Sequence, residues 1–319
     1  MTDFVADTGT ARPAPSRPAP SRPAPSRLGP ATFRWGERTY VMGILNVTPD
    51  SFSGDGLLVD GTPADGLLVD DDPVSVAVVI GERMVAEGAD LLDVGGESTR
   101  PGHAPVTADE ERRRVVPVIA ALRAALPDVP ISIDTTKPAV AEAALAAGAD
   151  LINDVWGVGD DESLARLAAD HGVPLIVMHN RAEPRYTSLL PEVIADLQRA
   201  IERALRLGVR WDDLIVDPGF GFGKTPEHNL ALLRDLGALR MLGRPILLGT
   251  SRKSTLGHVL DLPPGERLEA TIATTALGIA AGADLVRVHD VQANVRAARI
   301  SDAVIRGDRA STTTDGGPS

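Results

Sequence analysis

Two side chains near the end of the chain, Arg287 and His289, are spaced for binding an anion. They lie two residues apart in a short apolar segment, so a strand there would point both to the same face. With Asn46 they form a set that suits a diphosphate or a metal–diphosphate. Hard oxygen ligands favour magnesium over zinc. The chain has no cysteine, which excludes thiolate metal sites and cysteine nucleophiles.

Acceptor side chains follow three other apolar segments. Asp134, Asn153 and Asp217 each come at the end of a segment that would be buried as a strand. Together they suit a flat heterocycle whose edge carries several N–H donors. Lys253 adds a positive charge for a ring carbonyl or a ring nitrogen. A buried carboxylate needs such partners, because an unpaired buried charge is strongly unfavourable.

Some of these side chains also have a purely structural interpretation. Asp134 would be a helix N-cap, given Lys137-Pro138 after it, although its place at the end of a buried strand favours function. Arg252 and Lys253 would be a solvated surface pair, although their place after the seventh predicted strand favours an anion site. Glu97 is either a catalytic base or an anchor for its loop.

The segments that must position these residues alternate between strand and helix. Most strand candidates are continuously apolar for three to five residues, as strands buried on both faces should be. The intervening segments show helical spacing, for example Leu268, Ile272, Ala276 and Ile279. Eight such alternations predict an α/β protein with a (β/α)8 TIM barrel; a doubly wound open sheet is the alternative. The predicted strands begin near Val41, Leu91, Ile131, Leu151, Leu175, Leu214, Ile246 and Leu285.

The phrase Gly-Ala-Asp marks the change from helix to strand three times. It occupies residues 88–90, 148–150 and 282–284. Glycine tolerates the left-handed backbone conformation that often ends a helix. The phrase therefore predicts a helix end followed at once by a strand.

Composition sets the domain limits and excludes some partners. Arg-Pro-Ala-Pro-Ser repeats from Arg12, Arg17 and Arg22, which predicts a disordered arm over residues 1–30 or a ligand for a proline-binding module. The barrel would span residues 31–306, followed by a disordered tail over 307–319. The net charge of -12 argues against nucleic-acid binding, and no apolar segment is long enough for a membrane span. We expect a cytoplasmic location.

The loop after the first predicted strand departs from this alternation. Asp-Gly-Leu-Leu-Val-Asp occurs at residues 55–60 and again at 65–70, before a helix expected near Val74. A loop of this length is usually functional or disordered. A calcium site is a weaker alternative, because the spacing does not match an EF-hand loop.

Five motifs occur in order along the chain. Residues 43–53 read Gly-Ile-Leu-Asn-Val-Thr-Pro-Asp-Ser-Phe-Ser, residues 93–102 read Asp-Val-Gly-Gly-Glu-Ser-Thr-Arg-Pro-Gly, and residues 249–254 read Gly-Thr-Ser-Arg-Lys-Ser. Residues 217–224 and 287–290 agree in order and spacing. Over residues 41–305 the chain thus resembles the dihydropteroate synthase family. The resemblance implies a (β/α)8 barrel, a homodimer packed through its last helices, and two substrates, 6-hydroxymethyl-7,8-dihydropterin diphosphate and 4-aminobenzoate.

The resemblance also implies roles for individual residues. Asp134, Asn153, Asp217 and Lys253 would hold the pterin, in a pocket that Phe222 and Lys224 line. Asn46 would help to bind Mg²⁺, and Arg287 and His289 would hold the diphosphate. The residues with an implied part in catalysis are Asp134, Lys253, Arg287 and His289. Those implied to border the 4-aminobenzoate site, where sulfonamides also bind, are Thr99, Arg100, Pro101 and Ser251.

The first loop departs from the family pattern. The family usually reads Ser-Asp-Gly-Gly after Ser-Phe, whereas residues 53–56 here read Ser-Gly-Asp-Gly and the duplicated hexapeptide follows. Asp55 would take the usual aspartate's role one position later, and the affinity for 4-aminobenzoate is the property most exposed to this change. Two rival functions are a pterin-binding methyltransferase domain, which would need a corrinoid partner, and a non-catalytic paralogue that binds pterin without turnover.

Overall fold

The computed structural model describes residues 22–48, 58–59, 62–63, 72–97, 105–157, 159 and 161–307. Twelve strands lie in these ranges, and eight of them begin within one residue of the positions predicted from the sequence. The strands are β1 Ser26–Leu28, β2 Ala31–Phe33, β3 Tyr40–Asn46, β4 Leu58–Val59, β5 Thr62–Pro63, β6 Leu91–Gly95, β7 Ile131–Asp134, β8 Leu151–Asp154, β9 Leu175–Met178, β10 Leu214–Asp217, β11 Leu247–Leu248 and β12 Leu285–Val288.

Nine α-helices lie in the same ranges, mostly in the intervals between the strands. Several begin with a proline in the first turn, where its missing N–H costs nothing. The first helix begins at Pro73, one residue before the expected position, and Asp72 caps it by accepting a hydrogen bond from the Ser75 N–H. The helices are α1 Pro73–Ala86, α2 Ala108–Ala125, α3 Pro138–Ala147, α4 Ser163–His171, α5 Leu189–Arg206, α6 Pro226–Arg234, α7 Ser254–Leu260, α8 Leu268–Ala281 and α9 Val291–Arg306.

Eight parallel strands form one sheet in the order β10-β9-β8-β7-β6-β3-β12-β11. The two ends of this order meet through a parallel bridge between Val216 and Ile246, and the Val216 N–H donates to the Pro245 carbonyl at 2.9 Å. The sheet therefore closes into the (β/α)8 barrel that the sequence predicts, rather than an open doubly wound sheet.

The barrel interior changes from apolar to polar along four of its strands. One inward layer contains Met42, Leu91, Leu151, Ile176, Ile215, Leu247 and Leu285, all fully buried. Side chains alternate along a strand, so the next inward position lies two residues further on. That position is Asp93 on β6, Asn153 on β8, Asp217 on β10 and Arg287 on β12. The apolar layer thus supports a polar layer at the carboxyl end of the barrel.

A hairpin lies at the amino end of the barrel, and it corrects the predicted arm. β1 pairs antiparallel with β2, and Leu28, Phe33 and Trp35 are buried against the lower barrel layer together with Tyr40. The boundary predicted at residue 30 is therefore wrong for residues 26–30. The proline repeat concealed this strand, because the strand begins at Ser26, the last residue of the third repeat, without a change in polarity. Residues 1–21 and 308–319 lie outside the described residues.

All three Gly-Ala-Asp phrases end a helix as predicted. Gly88, Gly148 and Gly282 have φ between 106° and 114°, the left-handed conformation that glycine adopts without strain. The aspartate of each phrase has a second role, which is to accept a backbone N–H of the neighbouring strand or of the residue just before it. These bonds join Val41 N to Asp90 at 2.8 Å, Ile131 N to Asp150 at 2.9 Å and Ile246 N to Asp284 at 3.1 Å.

Most of the unusual first loop lies outside the described residues. Within it the structure describes only β4 and β5, which pair antiparallel. Asp55, the rest of the first hexapeptide copy apart from β4, and the whole of the second copy lie outside the described residues. None of the helices in the described ranges combines the length and the apolar character that a membrane crossing needs.

Candidate active site

A buried ion-pair cluster occupies the carboxyl end of the barrel. The Nε of Arg287 donates to Asp93 Oδ2 at 2.5 Å, and its Nη2 donates to Asp134 Oδ2 at 2.7 Å. These bonds cross the barrel from β12 to β6 and β7. A guanidinium carries five N–H donors, so the two bonds leave others for a ligand. Arg287 is 18% exposed, which keeps it accessible from the mouth of the barrel.

Both carboxylates of this cluster lack a full set of partners. Asp93 is fully buried, and its Oδ2 also accepts from Asn153 Nδ2 at 3.1 Å. Among the described residues, neither the other oxygen of Asp93 nor that of Asp134 has a hydrogen-bond partner. Buried polar atoms are rarely left unpaired in folded proteins, so an unpaired carboxylate oxygen points to a ligand.

The pKa of Asp134 is shifted into the range of neutral pH. Burial, together with the smaller effect of Asp93, raises the pKa of Asp134 to about 7, against the opposing effect of Arg287. The alternative role as a helix N-cap is wrong, because α3 has Lys137 at its N-cap and no capping side chain. Strongly shifted pKa values of this kind cluster at functional sites.

Asp217 and Lys253 form the opposite wall. Asp217 Oδ1 accepts from the Gly219 N–H at 2.7 Å, and burial raises the pKa of Asp217. The ammonium of Lys253 donates to the Phe220 carbonyl and lies 4.4 Å from the centre of the Phe222 ring. Burial lowers the pKa of Lys253 to about 8, while Asp217 raises it.

The glycine between these residues makes room for the lysine. Gly221 has φ +84°, and a Cβ there would lie 2.8 Å from Cδ of Lys253. Any other residue would therefore be strained in its backbone and would also push the lysine stem away. Gly221 thus allows Lys253 to reach the Phe220 carbonyl.

Arg252 and Lys253 have different environments although they are adjacent. Arg252 pairs with Asp290 through two hydrogen bonds of 3.0 and 2.6 Å, whereas Lys253 points to the cluster described above. The surface-pair interpretation is therefore wrong for Lys253. Arg252 has φ 56°, an uncommon conformation for a side-chain-bearing residue.

Ser251 and His289 are joined across two strand ends. The Ser251 hydroxyl lies 2.9 Å from Nδ1 of His289 and accepts from the His289 backbone N–H at 3.2 Å. His289 follows β12 directly, two residues after Arg287. The structure therefore brings the two residues predicted for diphosphate binding to neighbouring positions, with Ser251 fixing the imidazole.

Lys224 turns back into its own loop. Its Nζ lies 2.9 Å from His179 Nδ1 and 3.0 Å from the carbonyls of both Gly219 and Phe222. Burial lowers the pKa of Lys224 to about 7, while Asp217 raises it. Lys224 was predicted to line the pterin pocket, and its hydrogen bonds are with His179 and with the loop that carries Phe222.

The magnesium prediction is compatible with the donor set. Asn46 ends β3 at the mouth of the barrel, half-buried, and its amide offers a neutral oxygen. No group of three or more His, Asp or Glu side chains within the described ranges is placed to hold a metal. Mg²⁺ usually retains waters and takes one or two protein oxygens with substrate phosphates. A single amide beside a diphosphate site fits that habit.

Glu97 anchors its loop. Its carboxylate accepts from Lys137 Nζ at 2.5 Å and from the Val106 N–H at 2.8 Å, and Lys137 also pairs with Glu111 at 2.6 Å. Both oxygens of Glu97 are therefore engaged, which favours the anchor over the catalytic base. Thr99, Arg100 and Pro101, predicted for the arylamine site, lie outside the described residues.

Sequence reasoning assigned no role to Asp93, His179 or Asp196. A signal existed for Asp93, because an aspartate in the middle of a fully buried strand needs a partner. His179 follows β9 directly, at the same level as the other strand-end residues. Asp196 offered no signal, since it lies on an amphipathic helix among many charged residues.

Comparisons with known proteins agree with this geometry. Residues 42–289 match the family model described as pterin binding enzyme. A dihydropteroate synthase of Clostridium beijerinckii is 49% identical over 87% of this chain and 98% of its own length. A dihydropteroate synthase of Clostridium difficile, solved in the presence of pteroic acid, is 48% identical with a TM-score of 0.79 and covers 86% of this chain and 99% of its own. A Xanthomonas albilineans dihydropteroate synthase, solved with 4-aminobenzoic acid, is 40% identical with a TM-score of 0.79, covering 88% and 98%.

Proposed function

The chain belongs to the pterin binding enzyme family and is a dihydropteroate synthase of folate biosynthesis, and from that premise we propose how its own residues divide the work. It condenses 6-hydroxymethyl-7,8-dihydropterin diphosphate with 4-aminobenzoate to give 7,8-dihydropteroate and diphosphate. The bond between the pterin methylene carbon and a diphosphate oxygen breaks. A bond from the amine nitrogen to that carbon forms, and the nitrogen loses a proton.

The pterin site is proposed to consist of Asp134, Asn153, Asp217 and Lys253. The unpaired buried oxygen of Asp134 is suited to accept from ring N–H groups, and Asp217 offers a second carboxylate across the barrel. Lys253 supplies the donor for a ring carbonyl or nitrogen. Its contact with the Phe222 ring places an aromatic wall beside that donor.

The diphosphate site is proposed to consist of Arg287, His289 and Asn46. Arg287 already uses two donors on carboxylates and keeps others for phosphate oxygens. Ser251 fixes His289 so that the ring is oriented before the substrate arrives. Mg²⁺ held at Asn46 would neutralise charge on the leaving diphosphate.

Catalysis then depends on positioning and on charge. Arg287 and His289 stabilise the negative charge that develops on the leaving group, while ionised Asp134 and Asp217 favour positive character at the methylene carbon. The neutral arylamine attacks that carbon, so no covalent enzyme intermediate is needed. Thr99, Arg100 and Pro101, with Ser251, are proposed to border the amine, in line with the 4-aminobenzoic acid bound by the Xanthomonas enzyme.

The observation that carries this division is the Asp93–Arg287–Asp134 cluster, with its two unpaired carboxylate oxygens. We expect Asp134→Ala and Arg287→Ala each to abolish formation of dihydropteroate from the three components, pterin diphosphate, magnesium and 4-aminobenzoate. Released diphosphate gives a second readout of the same step. Near-normal turnover in both variants would reject these roles.

The magnesium role of Asn46 has a binding test of its own. Titration calorimetry of inorganic diphosphate, with and without Mg²⁺, would be compared between the wild type and Asn46→Ala. We expect Mg²⁺ to strengthen diphosphate binding to the wild type and to have a much smaller effect on the variant. Equal enhancement in both proteins would remove Asn46 from the metal site.

The homodimer is proposed on the last two helices. Leu277 on α8 and Ile300 and Val304 on α9 are 60%, 64% and 78% exposed, and the two helices pack against each other. Large apolar side chains exposed together usually mark an interface. Sedimentation velocity is expected to give a dimer for the wild type and a monomer for Val304→Asp. A wild-type monomer at micromolar concentration would contradict the proposal.

A cytoplasmic location stays a prediction, which cell fractionation would test. The two rival functions gain no support from the named relatives, all of which are dihydropteroate synthases. The turnover assay also separates them, since a non-catalytic paralogue would bind pterin without releasing diphosphate.

A further inference from the structure

A buried polar chain links helix α5 to the loop of residues 219–224, here called the glycine loop. Asp196 on α5 lies 3.1 Å from Nε2 of His179, and Nδ1 of His179 lies 2.9 Å from Nζ of Lys224. His179 is fully buried, and Asp196 is 11% exposed. None of the roles assigned above uses His179 or Asp196.

The hydrogen bonds of Asp196 and Lys224 indicate which ring nitrogen of His179 carries a proton. Asp196 also accepts from Arg181 at 2.7 and 3.0 Å and from Arg199, so both of its oxygens act as acceptors. The carboxylate requires a proton on Nε2 of His179. Nδ1 of the neutral ring then carries a lone pair, which can accept a hydrogen bond from Nζ of Lys224.

Lys224 also donates hydrogen bonds to the glycine loop. Two carbonyls, of Gly219 and Phe222, lie 3.0 Å from Nζ of Lys224. His179 Nδ1 and these two oxygens are the three nearest acceptors of Nζ, and the His179 carbonyl lies further away at 3.4 Å. The loop also lies directly on the residue that holds it, since a Cβ at Gly219 would be 1.8 Å from the His179 carbonyl oxygen.

The glycine loop in turn determines where Lys253 lies. Its residue Phe220 accepts a hydrogen bond from the Lys253 ammonium, and the Phe222 ring lies 4.4 Å from that nitrogen. A shift of the loop would therefore move both the aromatic wall and the lysine donor of the pterin site. Small displacements of positioned groups have large effects on binding and rate.

We propose that His179, oriented by Asp196, is a positioning residue for the pterin substrate, because it holds Lys224 and thereby the glycine loop that places Phe222 and Lys253. This inference rests on the proposed role of Lys253 in the pterin site. It concerns the pterin substrate, since within the described residues the contacts of this polar chain lead to Phe222 and Lys253.

Two substitutions of His179 separate its two contacts. In His179→Asn, the amide oxygen can take the place of Nδ1 and accept from Lys224, while the contact with Asp196 is lost. In His179→Gln, the amide reaches the place of Nε2 and keeps the contact with Asp196, while the acceptor for Lys224 is lost. Both variants are neutral and similar in size, so they serve as controls for each other.

The proposal predicts a specific pattern of constants. For His179→Gln we expect KM for the pterin diphosphate and Kd for the pterin alone to rise about tenfold, the usual effect of losing one charge-assisted hydrogen bond. KM for 4-aminobenzoate should change by no more than about twofold, within ordinary context effects of a distant substitution. His179→Asn should recover most of the pterin affinity.

A spectroscopic readout tests the chain without turnover. ¹⁵N NMR of histidine side chains in the wild type should show His179 as the neutral tautomer with its proton on Nε2. Asp196→Asn should weaken that preference and raise Kd for the pterin. A proton on Nδ1 in the wild type would overturn the proposal.

Two other outcomes would also overturn it. One is wild-type pterin affinity in His179→Gln, and the other is an equal rise in KM for both substrates in both variants, which would indicate a general structural role. Lys253→Met tests the underlying assignment separately. If Lys253→Met keeps wild-type pterin affinity, then the proposed function of Lys253 fails whatever the His179 variants do.

Discussion

Aspartates at the two ends of the barrel differ in whether the fold supplies all of their hydrogen-bond partners. At the amino end, Asp90 and Asp150 each accept a backbone N–H and each pair with an arginine, Arg38 for Asp90 and Arg123 for Asp150. Asp284 also accepts a backbone N–H there, from Ile246. At this end every such carboxylate has a partner that belongs to the fold itself.

At the carboxyl end, Asp93 and Asp134 share a single arginine and each keeps an unpaired oxygen. Burial raises the pKa of Asp134 to about 7 against the effect of Arg287, and the neighbouring charge of Asp93 acts in the same direction as burial. One residue type therefore stabilises the barrel at one end and stores unmet hydrogen-bonding capacity at the other. This agrees with the general division of such barrels into a stability face and an active face.

The largest expected effect is on turnover at the carboxyl end. Asp134→Asn keeps the shape of the side chain and removes a charge that is repelled by Asp93. We expect kcat/KM to fall by about a thousandfold, as when a positioned electrostatic group is lost. The urea midpoint of unfolding should stay the same or rise. A lower midpoint with normal turnover would place Asp134 with the structural aspartates.

The matched substitution at the amino end should do the reverse. Asp150→Ala removes the acceptor for the Ile131 N–H and the partner of Arg123. Losing a charged hydrogen-bond acceptor should lower the free energy of unfolding by about 2 kcal/mol. Urea denaturation would measure this, and kcat/KM at 25 °C should remain within about twofold of the wild type. A large loss of turnover in a folded variant would end the division proposed between the two faces.

The pH dependence of pterin binding sharpens the comparison. Ring N–H donors bind an ionised carboxylate more strongly than a protonated carboxyl, and the raised pKa of Asp134, about 7, means that the protonated form dominates below that pH in the free enzyme. Affinity for the pterin should therefore fall as pH falls from 8 to 6, by at most about tenfold per unit for a single proton. Calorimetry in buffers of different ionisation enthalpy would measure the released proton. Asp134→Asn should abolish the release.

The smallest expected effect concerns His179, a carboxyl-end residue whose partners all belong to the fold. Burial, together with the charge of Lys224, lowers the pKa of His179 to about 4, against the opposite effect of Asp196. An unfolded histidine titrates near 6.5, so the folded state gives this stabilisation fully above about pH 6.5 and loses it as pH falls towards 4. The free energy of unfolding of wild type should fall more steeply over that interval than that of His179→Asn. Parallel curves of unfolding free energy against pH for the two proteins would contradict the lowered pKa of His179 in the folded state.

Much of the fold followed from local patterns in the sequence. Buried strands read as short apolar segments, and each Gly-Ala-Asp phrase marked a helix end, so eight strands and the barrel could be predicted. The hairpin β1–β2 could not, because two strands of three residues carry too little periodicity to stand out beside a proline repeat. Its stability comes from burying Phe33 and Trp35 under the barrel, which is a tertiary contact.

The site was predictable as a set of positions and not as a set of partners. Strand-end placement identified Asp134, Asp217 and Arg287, since parallel strands end at one face. The pairing of Arg287 with Asp93 joins residues 194 positions apart across the barrel, and no local spacing encodes it. Lys224 illustrates the same limit, because its motif placed it near the pterin pocket while His179, from another strand, determines where its ammonium points.

The closure of the barrel between β10 and β11 has a consequence for its motions. β11 has only two residues, and the ring is completed there by the Val216–Ile246 bridge. Asp217 lies on one side of this junction and Lys253 on the other, so a pterin bound to both would span it. Backbone amides at the junction should then exchange with deuterium faster than those of β6 or β7 in the free enzyme. Exchange of these amides should slow markedly once the ligand is bound, because the substrate would then join the two sides of the junction and complete the barrel.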